Sequence, residues 1–291
     1  MSKISFPGLG IKPFEISEIA FSIGPLEVHW YGLIICLGMI LGFTVAYKRM
    51  KNIGVSLDDL SDIALICVPS AIIGARMYYV LTKLDNYHSF MEMIAIWEGG
   101  LAIYGGVIAG VIAFVLVCKY KKKPVLKMCD CAAPGLILGQ IIGRWGNFFN
   151  AEAYGSATEY GFLGAKFDIT SFSENNPLRM GIFNEHENGY VHPTFLYESL
   201  WNLIGFALMN IFFKKKAFDG EVLLWYLSWY GLGRCLIEGL RTDSLYLGPE
   251  AYGLRISQLV ALLCFVGGVI AIATLRIKKY IERKKEYGYN N

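Results

Sequence analysis

Charge is what this chain has least of. Asp, Glu, Lys and Arg make up 18% of its 291 residues, against 55% hydrophobic residues and a mean hydropathy of +0.43. An ordinary soluble domain, with about 25% charged residues, is excluded by that balance, and a polytopic membrane protein is expected instead. Cys-x-x-Cys pairs are missing too, although there are seven cysteines. Cys129 and Cys131 flank a single residue, a spacing too tight for a zinc pair on its own. The cysteines read as small buried hydrophobes, and neither a metal nor a cofactor is expected. The opening residues lack a basic region followed by an apolar stretch and a small-residue cleavage site, so no cleavable signal peptide is visible. Low-complexity tracts and repeats are absent as well, the net charge of +3 says little by itself because the placement of Lys and Arg matters more than their sum, and no nucleic-acid partner is expected.

What is abundant is apolar runs near the roughly 20 residues needed to cross the hydrocarbon. Seven are marked: Trp30 to Tyr47, Ile63 to Leu81, Leu101 to Val117, Cys131 to Phe149, Phe195 to Phe213, Leu223 to Leu240 and Ile256 to Leu275. They are rich in small residues, among them Gly38, Gly42, Gly105, Gly106, Gly110, Gly135 and Gly139, which permit close helix contact. The expected fold is an all-α polytopic membrane protein of seven transmembrane helices, a single integral membrane domain over residues 1–291. Two further regions are read as external. Residues 1–29 form a partly apolar arm, with Phe14, Ile16, Ile19 and Ile23 suggesting an interfacial helix limited by Pro13 and Pro25. Residues 150–194, too polar to span, form a small head between spans four and five.

Basic residues set the orientation. Connections on one side hold 17 Lys and Arg, including Lys48, Arg49 and Lys51, Lys119 to Lys127, Lys214 to Lys216 and Arg276 to Lys285. The opposite side holds seven: Lys3, Lys12, Lys83, Lys166, Arg179, Arg241 and Arg255. The bias puts the C-terminus in the cytoplasm and the N-terminus outside. Arg76, Arg144 and Arg234 remain within or at the ends of spans, where an ionisable group is costly and demands a reason.

In this topology the fourth span delivers Arg144, Asn147, Asn150 and Glu152 to its outer end, and the sixth delivers Tyr230, Arg234, Glu238 and Arg241. Arg234 and Glu238, four apart, share a helical face. The fifth span enters with His192 to Glu198, the first with His29-Trp30-Tyr31, and the third with Gly99 to Gly106, including Tyr104. Arginine offers forked donors that match phosphate oxygens, so a headgroup-handling site is the first hypothesis. An ion pair that only locks helices is the bland alternative for Arg234 and Glu238, and an interfacial belt position the bland one for Tyr31.

At these residues the chain resembles the bacterial prolipoprotein diacylglyceryl transferases. The likeness runs from His29-Trp30-Tyr31-Gly32 through Gly74-Ala75-Arg76, Gly99-Gly100-Leu101-Ala102-Ile103-Tyr104-Gly105-Gly106 and Gly143-Arg144-x-Gly146-Asn147-x-x-Asn150-x-Glu152-x-x-Gly155. It continues in His192-Pro193-Thr194-x-Leu196-Tyr197-Glu198, Tyr230-Gly231-x-x-Arg234-x-x-x-Glu238-x-x-Arg241 and Ser257-Gln258. The resemblance implies a multi-pass enzyme of the bacterial plasma membrane. It would transfer the diacylglyceryl group of phosphatidylglycerol to the lipobox cysteine thiol of a preprolipoprotein, forming a thioether and releasing glycerol 1-phosphate. Tyr31, Arg144, Asn147, Glu152, Gly155, Glu198, Arg234 and Glu238 match family positions associated with activity or substrate binding; Asn150 and Arg241 fall within the same motifs.

Arg144 and Arg234 suit the negative charge that develops as the carbon–oxygen bond breaks and sulfur attacks. An unperturbed thiol has a pKa of about 8.5, so a modest base or a positive field suffices to make thiolate. Many relatives carry His where this chain has Tyr104, and tyrosine, with a pKa near about 10, is a weak substitute. The base is open among Glu152, Glu238, Tyr104 and the arginine field itself, with His29 and His192 as minor candidates. Lipid is expected to enter sideways between spans and the signal peptide from the outer side. Two other classes fit buried arginines: an anion transporter or channel, which often shows two related halves not evident here, and a lipid-binding scaffold, which has no need of amides and carboxylates around the arginines.

Overall fold

The structure, a computed structural model, describes residues 2–156, 180–183, 188–241 and 255–289. Helices dominate. They are α1 (Trp30–Met50), α2 (Leu57–Thr82), the short α3 (Phe90–Ile94), α4 (Ile103–Tyr120), α5 (Val125–Phe149), α6 (Thr194–Phe212), α7 (Glu221–Glu238) and α8 (Ile256–Tyr289). Six of them, α1, α2, α4, α5, α6 and α8, are long and apolar enough to cross a membrane, which makes this a multi-pass membrane protein. The remaining long helix, α7, carries Glu221, Arg234 and Glu238 within 18 residues.

The N-terminal residues are strands, which corrects both the expected interfacial helix and the all-α class. β1 (Ser2–Phe6) and β2 (Ile11–Ile16) pair antiparallel across a turn whose Gly10 sits at φ 71°. β3 (Ile19–Ile23) and β4 (Leu26–His29) pair across Gly24-Pro25, with Gly24 at φ 60°. Aromatic and β-branched residues interrupted by Gly-Pro turns favour hairpins over a helix, and Pro13 and Pro25 remove helical hydrogen bonds. Within the region expected to form the head, β5 (Met180–Phe183) pairs antiparallel with β1, and β6 (Asn188–Val191) with β5, giving one sheet in the order β2-β1-β5-β6. The two regions read as separate thus share a sheet. Residues 157–179, including Lys166 and Arg179, lie outside the described residues.

The chain divides into two compact units, residues 1–46 with 132–291, and residues 47–131. In the first, Ile4, Phe6, Ile16, Met180, Ile182 and Val191 of the sheet bury against Phe195 and pack on Phe148 and Leu196, so the sheet caps the adjoining ends of α5 and α6. Two reciprocal hydrogen bonds tie α6 to α7: Trp201 Nε1 donates to Trp229 O at 3.0 Å and Trp229 Nε1 to Trp201 O at 2.9 Å. The rings stack 4.4 Å apart. Only glycine fits beneath them, since a Cβ at Gly205 would lie 2.3 Å from Trp229 and one at Gly233 2.2 Å from Trp201. The α1–α5 crossing is equally close, with a Cβ at Gly42 2.7 Å from Gly135 O. At the far end of α7 the buried Glu221 pairs with Arg276 of α8 at 2.5 Å.

The second unit is built on α2 and α4. A capping box of Ser56 with Asp59 starts α2. Lys121, just past α4, bonds Asp62 at 2.5 Å, a contact that raises its pKa, and Lys123 pairs with Asp59 at 2.5 Å. Midway the helices meet at Gly74, where a Cβ would lie 2.3 Å from Ala109 Cβ and 2.7 Å from Gly105 O.

Gly74→Ala is therefore expected to lower the thermal midpoint measured in detergent, by overpacking on the order of 1–3 kcal/mol. Gly267→Ala in α8, whose Cβ would meet nothing within 4 Å, is expected to hold or raise it. Equal midpoints for wild type and Gly74→Ala would argue against so close a crossing.

Candidate active site

The centre of the first unit's polar cluster is Glu198, in the second turn of α6 and 3% exposed. Its Oε2 lies 2.7 Å from Arg144 Nε of α5, and its Oε1 lies 2.7 Å from Arg234 Nη1 of α7. Arg241 Nη1 approaches the same Oε1 at 3.6 Å. One carboxylate is thus shared by three guanidinium groups. Glu238, 2% exposed, takes the other side of Arg234 through Nη2 at 2.6 Å, the i,i+4 pair expected from spacing. Glu198 Oε2 and Glu238 Oε2 reach guanidinium nitrogens at ion-pair distance without hydrogen-bond alignment, so Coulomb attraction dominates these two contacts.

Local sequence explains the convergence. The Trp201 and Trp229 lock sits three residues after Glu198 and five before Arg234, so the tie between α6 and α7 fixes both partners of the ion pair. Ser199 Oγ donates to Ile141 O of α5 at 3.1 Å, and Gln140 Nε2 donates to Tyr226 OH of α7 at 2.8 Å. These bonds hold α5 in register one turn before Arg144.

Past Arg144 the backbone turns sharply, with Ala151 at φ 47° and Ala153 at φ 55°. Left-handed alanines are strained, and such strain persists only where surrounding contacts demand it. Here Thr194 Oγ1 donates to Ala153 O at 2.5 Å, Gly155 N to His192 O at 2.9 Å and Ser156 N to Leu240 O at 2.6 Å. Gly155 also bridges the backbone of Arg241, and a Cβ there would lie 2.7 Å from His192 Cβ and 2.9 Å from Leu240 O. Gly155 therefore acts through its backbone, pinning Arg241 beside Glu198.

A second group sits at the end of α5. Asn147 Nδ2 donates to Glu152 Oε1 at 2.9 Å, and Asn150 Nδ2 reaches the same oxygen at 3.4 Å. Glu152 is exposed, whereas Asn150 Oδ1 is buried without a hydrogen-bond partner among the described residues. The Tyr31 ring of α1 lies against Gly146, whose Cβ would fall 2.8 Å from it. The structure thus gathers Tyr31, Arg144, Asn147, Asn150, Glu152, Gly155, Glu198, Arg234, Glu238 and Arg241 within one unit. Tyr104 belongs to the other, in the first turn of α4.

Two contributors had no assigned role at the sequence level. Ser257 Oγ donates to Glu238 Oε1 at 2.5 Å from the first turn of α8, and Arg255 donates to the backbone oxygen of Glu238. Ser257-Gln258 was visible as a motif, but nothing in its spacing from Glu238 signals contact, because the intervening chain length is not a helical repeat. Thr194 likewise reads as a helix start rather than a brace for a strained turn.

Among the described residues this cluster gathers the guanidinium groups of Arg144, Arg234, Arg241 and Arg255 around the two carboxylates Glu198 and Glu238. The side chains of Arg144 and Arg234 keep 19% and 18% exposure, while both carboxylates are buried. Forked guanidinium donors of this kind match the oxygens of a phosphate or carboxylate.

A family model for prolipoprotein diacylglyceryl transferase matches residues 18–274. The chain is 44% identical over 271 residues to phosphatidylglycerol--prolipoprotein diacylglyceryl transferase 1 of Clostridium perfringens, covering 92% of this chain and 98% of that relative. It is 42% identical to the corresponding transferase of Streptococcus equi subsp. zooepidemicus, covering 93% and 100%. Against that of Lysinibacillus sphaericus it is also 42% identical, covering 93% and 98%. With the family match spanning nearly the whole chain and the arginine–glutamate cluster falling inside it, this chain belongs to the prolipoprotein diacylglyceryl transferase family.

Proposed function

We propose that this transferase moves the diacylglyceryl group of phosphatidylglycerol onto the lipobox cysteine thiol of a preprolipoprotein, releasing glycerol 1-phosphate. The observation that carries the reading is the convergence of Arg144, Arg234 and Arg241 on Glu198. A phosphodiester carries one negative charge, which forked guanidinium donors suit. As sulfur forms its bond to the glyceryl carbon, the carbon–oxygen bond to phosphate breaks and the thiolate charge passes to the leaving phosphate. Guanidinium donors already fixed in place stabilise that charge without reorganising. Among the described residues Arg144 is engaged through Nε alone, so its two terminal nitrogens are available to the phosphate oxygens. Asn150 Oδ1, a buried acceptor, suits a hydroxyl of the headgroup glycerol.

The thiol proton goes to Glu152 in this reading. Glu238 is a poor candidate, because Arg234 and Ser257 hold its two oxygens. Glu152 is exposed and is held only by the amides of Asn147 and Asn150. Tyr104 serves to orient the substrate by hydrogen bonding. We further read α7 as a seventh span, since 18 residues rise about 27 Å, close to the hydrocarbon thickness. The orientation proposed has the N-terminus outside the bacterial plasma membrane, the residue 150–194 region as a head there, and the C-terminus in the cytoplasm. The lipids of the bilayer are then both solvent and substrate.

Purified protein mixed with phosphatidylglycerol and a synthetic lipobox peptide is expected to add a diacylglyceryl mass to the peptide. Arg144→Ala should lower that rate by on the order of 10²- to 10³-fold, as loss of a fixed donor to a developing anion does. Arg144→Lys should recover only part, and Lys121→Ala, in the Asp59 and Asp62 cluster, should leave it intact. Full turnover in Arg144→Ala would remove the guanidinium from the reaction.

Glu152→Gln is expected to depress kcat by on the order of 10²-fold, the ordinary worth of a general base. Glu238→Gln should act chiefly by loosening Arg234, so the thermal midpoint falls along with activity. Tyr104→Phe should cost about 3- to 10-fold in kcat/KM, the value of one hydrogen bond. Unchanged kcat in Glu152→Gln would hand the proton to another group.

A further inference from the structure

Away from the arginine cluster, α6, α7 and α8 part to leave a cavity of about 280 Å³ that the chemistry above does not use. Leu208 and Phe212 of α6, Trp225 and Trp229 of α7, and Phe265 and Ile272 of α8 line it, so each helix contributes about two turns. That length, about 10 Å, fits within one leaflet of a hydrocarbon core about 30 Å thick. The lining is apolar. Ser228, which also borders the space, satisfies its hydroxyl on Leu224 O at 2.8 Å. Leu208 and Phe212 are 38% and 40% exposed, so the cavity opens as a groove along α6. In a bilayer such a groove is filled, because an apolar void forfeits the contacts of its lining.

Positive charge gathers at one end of the groove, where α6 stops and α7 starts. Lys215, three residues past Phe212, sets its Nζ 5.1 Å from the centre of the Phe212 ring. Arg276, one turn past Ile272, sets its Cζ 5.9 Å from the centre of the Trp225 ring. Each cation thus stands by a ring that lines the groove. Acidic groups at this end are already engaged. Glu221, wholly buried, accepts from Arg276 Nε and from Ala217 N, each at 2.5 Å, and Asp219 pairs with Lys216 at 3.2 Å. Arg276 meets Glu221 through Nε and Nη2, which leaves Nη1 without a partner among the described residues on a side chain that is 47% exposed. Lys215 is exposed as well.

We propose that this groove is a binding site for an anionic phospholipid, with one acyl chain lying along α6 and the phosphate held by Arg276 and Lys215. The leaflet is the one that meets the turn between α6 and α7, cytoplasmic in the orientation proposed above; the site itself depends neither on that orientation nor on the transfer reaction. Shape and charge select this occupant together. A neutral lipid would fill the groove but leave both cations facing water, and a helix about 10–12 Å across does not fit a space of about 280 Å³. An acyl chain seated there packs on Trp229, so it braces the Trp201 and Trp229 lock between α6 and α7.

The test titrates the full-length protein in detergent with phosphatidylserine or phosphatidylcholine of matched chains and counts bound lipid by native mass spectrometry. A basic residue at a membrane surface is worth about five-fold, so two should make phosphatidylserine bind about 20-fold more tightly. Lys215→Ala should cut that preference about five-fold. Arg276→Gln combined with Glu221→Gln, which removes the pair without stranding a buried charge, should do the same. Leu208→Trp, which fills the groove and keeps both cations, should weaken phosphatidylserine at least about ten-fold and stop it raising the thermal midpoint. Lys278→Ala, on another face of α8, should change nothing. Equal affinity for the two lipids, tight binding that survives Leu208→Trp, or inorganic phosphate raising the midpoint as much as the lipid would each overturn the proposal. A dimer that occludes Leu208 would overturn it too, since a second copy would then fill the groove. Should Leu208→Trp fail to fold, Lys215→Ala, at an exposed position, decides alone. Arg144→Ala should keep this binding; its loss there would move the lipid to the arginine cluster and overturn the groove, whereas the fate of transfer in that variant bears only on the proposed reaction.

Discussion

A single carboxylate, Glu198, organises the reactive end of this protein. Arg144 and Arg234 stand 2.7 Å from its two oxygens on different helices, and Arg241 stands 3.6 Å from one of them. Without it, like charges on α5 and α7 would repel at short range in a medium that screens poorly. With it, the arginines are held in fixed directions. A buried ion pair adds little net stability, because desolvation opposes Coulomb attraction. Its value here is geometric: it sets where positive charge sits before any substrate arrives.

That arrangement depends on how near the helices come, and small residues decide the approach. Gly205 and Gly233 admit the Trp201 and Trp229 rings, whose reciprocal bonds join α6 to α7. Gly42 with Gly135 does the same for α1 and α5. Between apolar helices surrounded by lipid there is no hydrophobic drive to associate, so close backbone contact and a few hydrogen bonds carry the packing. The strained turn at Ala151 and Ala153 follows from the same constraint, since Gly155 and Ser156 must reach His192 and Leu240.

Much of this was legible from the residues. Apolar runs located every long helix, because the bilayer demands length and burial of backbone groups and both leave a mark in composition, but polar turns at the starts of α2 and α5 and the basic end of α8 beyond Leu275 fell outside them. The arginines stood out since charge at membrane depth is rare. The N-terminal residues misled: Phe14, Ile16, Ile19 and Ile23 fit an interfacial helix by composition, but Phe14 and Ile16 lie in β2, paired with β1, and Ile19 and Ile23 in β3, paired with β4, while β1 itself is joined to the distant β5. Contacts at that distance leave no local period to read. Ser257 escaped for the same reason, as its partner Glu238 lies on another helix.

The sequence by itself determined the membrane class, the helical segments and the chemical types gathered near their ends, because hydropathy, capping and charge act over a few residues and are written locally. Tertiary structure alone decided that one glutamate would meet three arginines and that Gly155 would pair its backbone with Arg241. Those outcomes depend on which helices touch and at what depth. That is settled by side-chain volume and long-range hydrogen bonding, and neither has a sequence period.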